Sequence, residues 1–283
     1  MTAFDPRLTP ARPDLAAAYL RGKVEAARFV EGVAKRVIDV SAPVRHASSL
    51  EAALDTEALH GERVIVYEET DEGWSWGQIE RDGYVGWLPS NALQNEKAPP
   101  THRVSALRTF LFPKPDIKSP PFASLSFGSS FAVKREEQTF VVTESGGYIP
   151  QQHVVPFDYR EQDPVEVAAR FLGTPYLWGG KTSAGLDCSG LVQLALQSCG
   201  IECPRDSDMQ RKIGKAVAFT GDENALARGD LLFWKGHVGF YAGDGKLLHA
   251  NAHHMAVAEE KLSAALARIR ASGLEVLEVR GPG

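Results

Sequence analysis

The sequence predicts an α+β protein with an all-β first half and a mixed second half. Two observations support this: short β-like runs separated by Gly/Asp turns fill the first half, and two helical segments followed by strands fill the second. A chain of 283 residues is long enough for two or three domains. We predict a helical extension over 1–34, two small β domains over 35–98 and 99–157, and a C-terminal domain over 158–283.

The composition is that of an ordinary globular protein and excludes several functional classes. Hydrophobic residues make up 43% and charged residues 24%, which argues against long disorder or a fibre. A net charge of -5 is the opposite of what a general nucleic-acid binder needs, so no nucleic-acid partner is expected. Three cysteines cannot form a complete set of intrachain disulfides.

The first 22 residues lack the pattern of a signal peptide. Such a peptide needs a basic start and an apolar core of about 7–15 residues, whereas charged residues interrupt everything before Leu15. No stretch reaches the ~18 apolar residues of a membrane span. We therefore expect a cytoplasmic protein with no membrane partner, in a compartment where thiols stay reduced.

The first predicted element is a helix over 13–28. Pro13 in the first turn, followed by Asp14, is a favourable helix start. Leu15 and Tyr19 would then share one side of the helix and pack on the next domain.

A small barrel is predicted next, because short strands follow one another at close spacing. Gly and Asp mark the turns between them, and Pro99-Pro100 marks the linker that follows. The predicted strands cover residues 36–40, 63–67, 74–79 and 83–88.

This β unit is repeated once. The segments GWLPSNAL and GYIPQQHV begin at Gly86 and Gly147, 61 residues apart. Two units of about 60 residues explain this match better than one large β domain does. The unit resembles the bacterial SH3 domain, whose last strand often reads Gly-aromatic-aliphatic-Pro.

The C-terminal domain begins with helices and continues with strands, which predicts helices packed on an antiparallel sheet. Asp163-Pro164 starts a helix over 165–172, and a second helix over 188–199 ends at Gly200. The predicted strands cover residues 230–234, 237–242, 246–250 and 275–279.

Cys188 is the first candidate for chemistry, because it lies where a Gly-rich loop enters the second of these helices. The thiolate is the reactive form of cysteine, and the free N–H groups and partial positive charge of a helix start favour that anion. The alternative is a small buried residue that packs at the start of the helix.

Two histidines of one hairpin are candidates for the base and its orienting group. If the hairpin loop is the three residues 243–245, Gly239 faces His249, and the His237 and His249 imidazoles lie on one face as diagonal neighbours. A two-residue loop would put them on opposite faces. The spacing is compatible with a Cys–His–His relay but does not require one.

Zinc binding is the main alternative chemistry. No Cys-x2-Cys pair exists, and Cys199-x3-Cys203 lacks a matched second pair at a standard spacing. The eight residues GTPYLWGG contain neither GK[ST] nor G-x-G-x-x-G, so we discount a phosphate-binding loop. We therefore predict no metal and no cofactor. The side chains weighed as ligands are His237, His249, His253, His254, Cys199 and Cys203.

Several motifs together resemble the NlpC/P60 family of papain-like cysteine peptidases, which cleave the peptide stems of bacterial cell wall. They are DCSGLVQ, GDLLFW-x2-HVGFYAGDGKLLHA, TPYLWGG and PRDSDMQ, and the resemblance covers residues 163–283. It implies that Cys188 is the nucleophile, His237 the base and His249 the residue that orients the base. The backbone N–H of Cys188 would help to bind the oxyanion.

A chain with two SH3-like units before such a domain resembles the γ-D-glutamyl-L-diamino acid endopeptidases of murein recycling. Those enzymes act on short peptides with a free N-terminal L-Ala, and their first SH3-like unit closes one end of the cleft. The resemblance implies that Tyr84 and Asp187 bind the substrate amine. It also implies that Ser189 and Arg205 line the cleft and hold the D-Glu α-carboxylate, for which an Arg fork is suited.

Each of these residues also has a purely structural interpretation. Asp187 could cap the helix, Tyr84 could be a barrel-core aromatic, and Arg205 could form a surface ion pair. An acid of the first SH3-like unit, Glu57 or Glu62, could also bind the amine, and the sequence does not choose between them.

The predicted function is hydrolysis of the γ-D-glutamyl-diaminopimelate (or -Lys) bond of murein peptides by a cysteine endopeptidase of cell-wall recycling. The murein peptide, L-Ala-γ-D-Glu-diamino acid, is the expected partner. One alternative is a general peptidoglycan hydrolase that acts on intact wall. The other is an inactive peptidase that binds through its SH3-like units, and the intact set of Cys188, His237 and His249 argues against it.

Overall fold

The structure is a computed structural model that describes residues 4–282. The chain divides into two compact units after Tyr159, and each is described by itself. Within the described residues, no helix has both the length and the apolar composition that crossing a membrane requires.

The N-terminal segment does not form the predicted helix over 13–28. It forms the parallel strands β1 (Leu15–Ala17) and β2 (Arg28–Val30), with a 3₁₀ turn between them. All three residues of β1 are fully buried, and the Arg12 guanidinium lies 4.3 Å from the ring centre of Trp76. Packing against the barrel therefore determines the structure of this segment, because local helix propensity is weak compared with tertiary contacts.

The first barrel is a seven-stranded sheet in the order β5-β4-β8-β7-β6-β3-β9. Its core contains small and aliphatic side chains such as Val44, Val64 and Leu88, together with Tyr84. The strand predicted at 74–79 is present with the same bounds, those at 63–67 and 83–88 are present with shifted ends, and the one at 36–40 overlaps the observed strand only at its first two residues. Three more strands were not predicted. The strands are β3 (Val33–Val37), β4 (Ser41–Arg45), β5 (Leu54–Leu59), β6 (Arg63–Glu69), β7 (Trp74–Ile79), β8 (Val85–Pro89) and β9 (Leu93–Asn95).

The second part of this unit is also all-β and has a separate core that includes Val104, Leu125 and Ile149. Its strands form three small sheets. The strands are β10 (His102–Val104), β11 (Arg108–Leu111), β12 (Ala123–Ser126), β13 (Ser130–Phe131), β14 (Val133–Glu137), β15 (Phe140–Thr143), β16 (Tyr148–Pro150) and β17 (Val154–Pro156). A second SH3-like barrel stays a prediction.

The repeated sequence motif takes the same local structure twice. β8 ends at Pro89, and a 3₁₀ turn over Ser90–Ala92 leads into β9. β16 ends at Pro150, and a 3₁₀ turn over Gln151–His153 leads into β17. The 61-residue offset therefore relates two equivalent strand–turn–strand segments.

The second unit has helices packed on a six-stranded antiparallel sheet in the order β20-β25-β21-β22-β23-β24. The predicted helix at 188–199 is present over Cys188–Ser198, and every residue of the observed helix is buried. The elements are α1 (Pro164–Ala169), β18 (Lys181–Thr182), β19 (Gly185–Leu186), α2 (Cys188–Ser198), α3 (Ser207–Gln210), β20 (Lys215–Val217), β21 (Leu231–Trp234), β22 (His237–Gly243), β23 (Lys246–Asn251), β24 (Ala256–Lys261), α4 (Leu262–Ala271) and β25 (Glu278–Gly281).

Helix α4 was not predicted, although the sequence carries its signal. Leu262, Ala265, Leu266 and Ile269 follow helical spacing and pack on the sheet core. No side chain caps its first turn, so the start signal that identified the other helices is missing.

Candidate active site

Cys188 is the first residue of α2, and its thiol is reduced and buried, with 5% of its surface exposed. Asp187 is the N-cap of the helix and accepts a hydrogen bond from the Gly190 N–H at 2.6 Å. The backbone N–H of Val238 lies close enough to Cys188 to donate to its sulfur. The thiol therefore lies beside the start of β22, the strand that begins with His237.

The hairpin β22–β23 places both imidazoles on one face by a different route from the predicted one. The loop is two residues, Asp244-Gly245, because Gly243 pairs with Lys246. Both loop residues have positive φ, as such tight turns require. Ala242 is an extra, unpaired residue in β22, which makes a β-bulge. A two-residue loop alone would put the two imidazoles on opposite faces of the sheet, and the bulge returns them to the same face. The predicted three-residue loop is therefore wrong.

The two histidines form a direct hydrogen bond. His237 Nε2 lies 2.8 Å from His249 Nδ1, and the ring centres are 5.0 Å apart. His249 is almost fully buried in the sheet, whereas His237 is half-buried at its end. The second nitrogen of His237, Nδ1, is thus the one left to exchange a proton with the thiol.

Glu260 and Arg268 extend this line and were missed by the sequence analysis. His249 Nε2 lies 2.9 Å from Glu260 Oε1, and the Arg268 guanidinium donates to both Glu260 oxygens at 2.6 Å. Glu260 is on β24 two residues beyond Ala258, the partner of His249, so it shares the face of His249. Neither β24 nor α4 was predicted, so nothing in the sequence indicated that Glu260 and Arg268 lie near the histidines.

Burial shifts the protonation equilibria of the site toward uncharged groups. Burial, followed by the negative charge of Asp187, raises the pKa of Cys188 to about 12. Burial lowers the pKa of His237 to about 3 and that of His249 to about 4. The site at rest therefore favours a thiol beside a neutral imidazole, instead of the ion pair that an activated thiolate would form.

Tyr176 is a further residue of the site. Burial first, and then the proximity of the Cys188 sulfur and the Asp187 carboxylate, raise the pKa of its phenol, so its hydroxyl stays protonated beside these groups. It belongs to the segment TPYLWGG, which the sequence analysis used only as a motif. A protonated phenol in this position is a hydrogen-bond donor for charge that develops near the thiol.

Asp187 and Arg205 form a buried ion pair with each other. Arg205 is fully buried, and its guanidinium nitrogens lie 2.9 and 2.7 Å from the two Asp187 oxygens. It also donates to Ser189 Oγ at 2.8 Å. The structural alternative of a surface ion pair for Arg205 is therefore wrong, whereas the capping role of Asp187 is confirmed. The roles of these residues in substrate binding stay predictions.

The candidates of the first unit are placed in structural contacts. Tyr84 is 5% exposed and belongs to the core of the first barrel. Glu62 accepts a hydrogen bond from the Leu59 N–H at 2.8 Å, and Glu57 accepts one from Ser41 Oγ at 2.8 Å. Their predicted roles toward a substrate amine stay predictions.

One cluster among the described residues has the donor types of a metal site. The ligand atoms of His249, His254 and Glu260 all lie within 4.8 Å of one another. However, the Arg268 cation already donates to both carboxylate oxygens of Glu260. A metal ion there would meet this positive charge, so the donor set fits the hydrogen-bonded relay better than a cation.

The buried imidazoles make a prediction about stability. Burial lowers the pKa of His249 below its ordinary value of about 6.5. Below that pH the imidazole is therefore protonated in the unfolded chain but stays neutral in the folded protein. We expect the free energy of unfolding to fall as pH decreases below about 6.5, by up to about 1.4 kcal/mol per pH unit for this residue. Urea unfolding curves recorded between pH 7.5 and 5.0 should show that the free energy of unfolding falls less for His249→Asn than for the wild type.

The matched control is His46→Asn, since 60% of the His46 side chain is exposed. It should keep the pH dependence of the wild type. Glu260 does not disturb this window, because burial, which would raise its pKa, is outweighed by hydrogen bonds from Arg268 and His249, which hold that pKa at about 2. Equal pH slopes for His249→Asn and the wild type would contradict the prediction.

A thiol at a helix start, beside two linked imidazoles on an antiparallel sheet, defines a cysteine peptidase of the papain-like kind. The sequence profile of the NlpC/P60 family matches residues 173–270, and that of the bacterial dipeptidyl-peptidase Sh3 domain matches residues 44–93. The chain belongs to the NlpC/P60 family, and the resemblance stated from its motifs is confirmed.

Relatives agree over most of the chain. A gamma-D-glutamyl-L-lysine dipeptidyl-peptidase of Bacillus subtilis is 32% identical over 225 residues, which are 70% of this chain and 72% of the relative. One of Bacillus cereus is 29% identical over 231 residues, 70% of this chain and 67% of the relative. The crystal structure of an NlpC/P60 family protein from Bacillus cereus shares the fold, with a TM-score of 0.74 at 22% identity, over 88% of this chain and 99% of that one.

Proposed function

We propose that the protein hydrolyses the γ-D-glutamyl bond to a diamino acid in peptides that begin with a free L-Ala, in the recycling of cell-wall peptides. The observation that carries the proposal is the relay of Cys188, His237 and His249. Relatives named gamma-D-glutamyl-L-lysine dipeptidyl-peptidases, matched over about two thirds of their length or more, support the bond type. A dipeptidyl-peptidase releases two residues from an amino end, so their name also supports a free amine.

In this proposal Cys188 is the nucleophile and His237 the base. The sulfur attacks the γ-carbonyl carbon while its proton passes to His237 Nδ1, because His237 Nε2 is engaged by His249. The oxyanion accepts hydrogen bonds from the backbone N–H of Cys188 and from the Tyr176 hydroxyl. His237 then gives the proton to the leaving amine, and water hydrolyses the resulting thioester with His237 again as base.

The test compares three substrates: L-Ala-γ-D-Glu-diaminopimelate, its N-acetylated form and intact sacculi. We expect hydrolysis of the free peptide, with kcat/KM at least about 10²-fold lower after acetylation, because a site that binds a charged amine rejects an analogue that lacks it. The diaminopimelate and Lys forms of the free peptide are both assayed. Mass spectrometry identifies the bond that is cleaved.

The outcomes separate the proposal from its alternatives. Equal rates on the free and acetylated peptides, with release of fragments from sacculi, would show a general wall hydrolase. Loss of the free-peptide activity on treatment with a chelator, recovered by zinc, would replace the thiol chemistry with metal chemistry.

A further inference from the structure

Behind the proposed base lies a line of hydrogen bonds that ends in an ion pair. It runs from His237 to His249 at 2.8 Å and from His249 to Glu260 at 2.9 Å, and Arg268 closes it with two bonds of 2.6 Å. A general base needs a defined unprotonated nitrogen aimed at its proton, so the tautomer of His237 matters for its function. The line supplies a physical means to set that tautomer.

The Glu260 carboxylate determines where His249 carries its proton. The Arg268 guanidinium donates to both Glu260 oxygens at 2.6 Å, which is the geometry of an ionised carboxylate. Burial alone would raise the pKa of Glu260, but the hydrogen bonds from Arg268 and His249 hold it at about 2. An ionised carboxylate only accepts hydrogen bonds. His249 must therefore carry its proton on Nε2 to donate to Glu260. A neutral imidazole has a single N–H, so His249 Nδ1 is then an acceptor.

The tautomer of His249 in turn determines that of His237. Since His249 Nδ1 accepts, His237 Nε2 must be the protonated nitrogen that donates to it across 2.8 Å. His237 Nδ1 is then unprotonated and can take the proton of the thiol. In the opposite arrangement His249 Nδ1 would donate, His237 Nδ1 would carry the hydrogen, and the ring could not act as a base.

Arg268 keeps the carboxylate in place. It comes from the last turn of α4, and its two bonds fix both Glu260 oxygens, which prevents rotation of the carboxylate away from His249. The Glu260 side chain is only 12% exposed, so water does not readily replace either partner. The arrangement is a fixed acceptor rather than a mobile surface ion pair.

We propose that Glu260 is a positioning residue that fixes the tautomers of His249 and His237, and that Arg268 holds it for this task. The inference rests on the proposed function, in which His237 is the base. Glu260 touches neither the thiol nor the substrate in this scheme, and it acts only through His249.

The first experiment changes the acceptor. Glu260→Gln keeps the size of the side chain, but its amide presents N–H as well as oxygen, so both tautomers become available. Glu260→Leu/Arg268→Leu removes the acceptor without leaving an unpaired Arg. We expect kcat on the free L-Ala peptide to fall by about 10- to 100-fold in both variants, the range found for groups that orient a ligand from behind, with KM within about 2-fold.

The second experiment separates positioning from general structural support. In a His249→Asn background the side-chain amide oxygen can accept from His237 without help, so replacement of Glu260 should change kcat less than about 2-fold. Glu259→Gln is the matched control on the same strand, where Glu259 pairs with Lys246 at the surface. It should behave as the wild type.

A spectroscopic readout does not depend on activity. The ¹⁵N shifts of labelled imidazoles distinguish protonated from unprotonated nitrogens, and the wild type should show Nε2–H tautomers for both His237 and His249. Glu260→Leu/Arg268→Leu should show mixed tautomers for both rings.

Three results would overturn the proposal: an unchanged kcat, an equal loss of kcat in the His249→Asn background, or unchanged tautomers in the variants. Failure of the proposed function looks different. In that case Cys188→Ala would retain the wild-type rate or the wild type would not cleave the peptide, while the imidazole spectra would still decide the positioning role.

Discussion

Replacement of Cys188 by Ala is expected to abolish peptide hydrolysis while the protein stays folded. The thiol supplies the electron pair that forms the thioester, and His237 Nδ1 takes the proton of the thiol in this scheme. Loss of a nucleophile costs on the order of 10⁴–10⁶-fold in kcat. The cost in stability should be small, about 1 kcal/mol, because only one buried atom is removed at the edge of a helix start.

The measurement is single-turnover hydrolysis of the free L-Ala peptide, together with a urea unfolding curve. Cys199→Ala is the control, since Cys199 lies at the opposite end of the same helix. It should keep the wild-type rate. A Cys188→Ala protein that still turns over the peptide would remove the thiol from the mechanism.

Arg205→Met is expected to give the largest loss of stability. The substitution leaves the buried Asp187 carboxylate without the guanidinium that binds both of its oxygens. Breaking a buried ion pair from one side typically costs about 3–5 kcal/mol, because the remaining charge is uncompensated. The same change should slow catalysis, since Asp187 also caps the helix that presents Cys188.

Two further variants make this prediction specific. Asp187→Asn/Arg205→Met should recover part of the stability, because the unpaired charge is gone and Asn still caps a helix. Arg270→Met removes an exposed pair with Glu275 and should cost less than about 1 kcal/mol. If the free energy of unfolding of Arg205→Met is within about 1 kcal/mol of the wild-type value, the ion pair does not stabilise the site.

The sequence predicted the parts of the site that depend on local signals. The start of α2 and the strands of the His237–His249 hairpin are defined by capping, alternation and Gly positions, all of which lie within a few residues. The positions of Cys188, His237 and His249 followed from these elements and from the family motifs.

The parts that escaped prediction depend on distant contacts. The helix expected at 13–28 has good local signals, yet its residues become buried strands against the barrel. Glu260 reaches His249 only because β24 pairs with β23, and Arg268 reaches Glu260 only because α4 packs on the sheet. The ion pair of Asp187 and Arg205 likewise joins a helix cap to a loop 18 residues further along the chain.

The bulge at Ala242 sets a counting rule for changes of length in the hairpin. If the two-residue turn is kept, an insertion or deletion of one residue in the paired strands between His237 and His249 turns one imidazole to the other side of the sheet, whereas a change of two residues keeps both on the same side. Removal of Ala242 alone would therefore disconnect the relay with every functional side chain still present. Lengthening the turn by two residues beyond Asp244-Gly245 would leave the relay intact, so this tip is a place where the chain can accept an added segment.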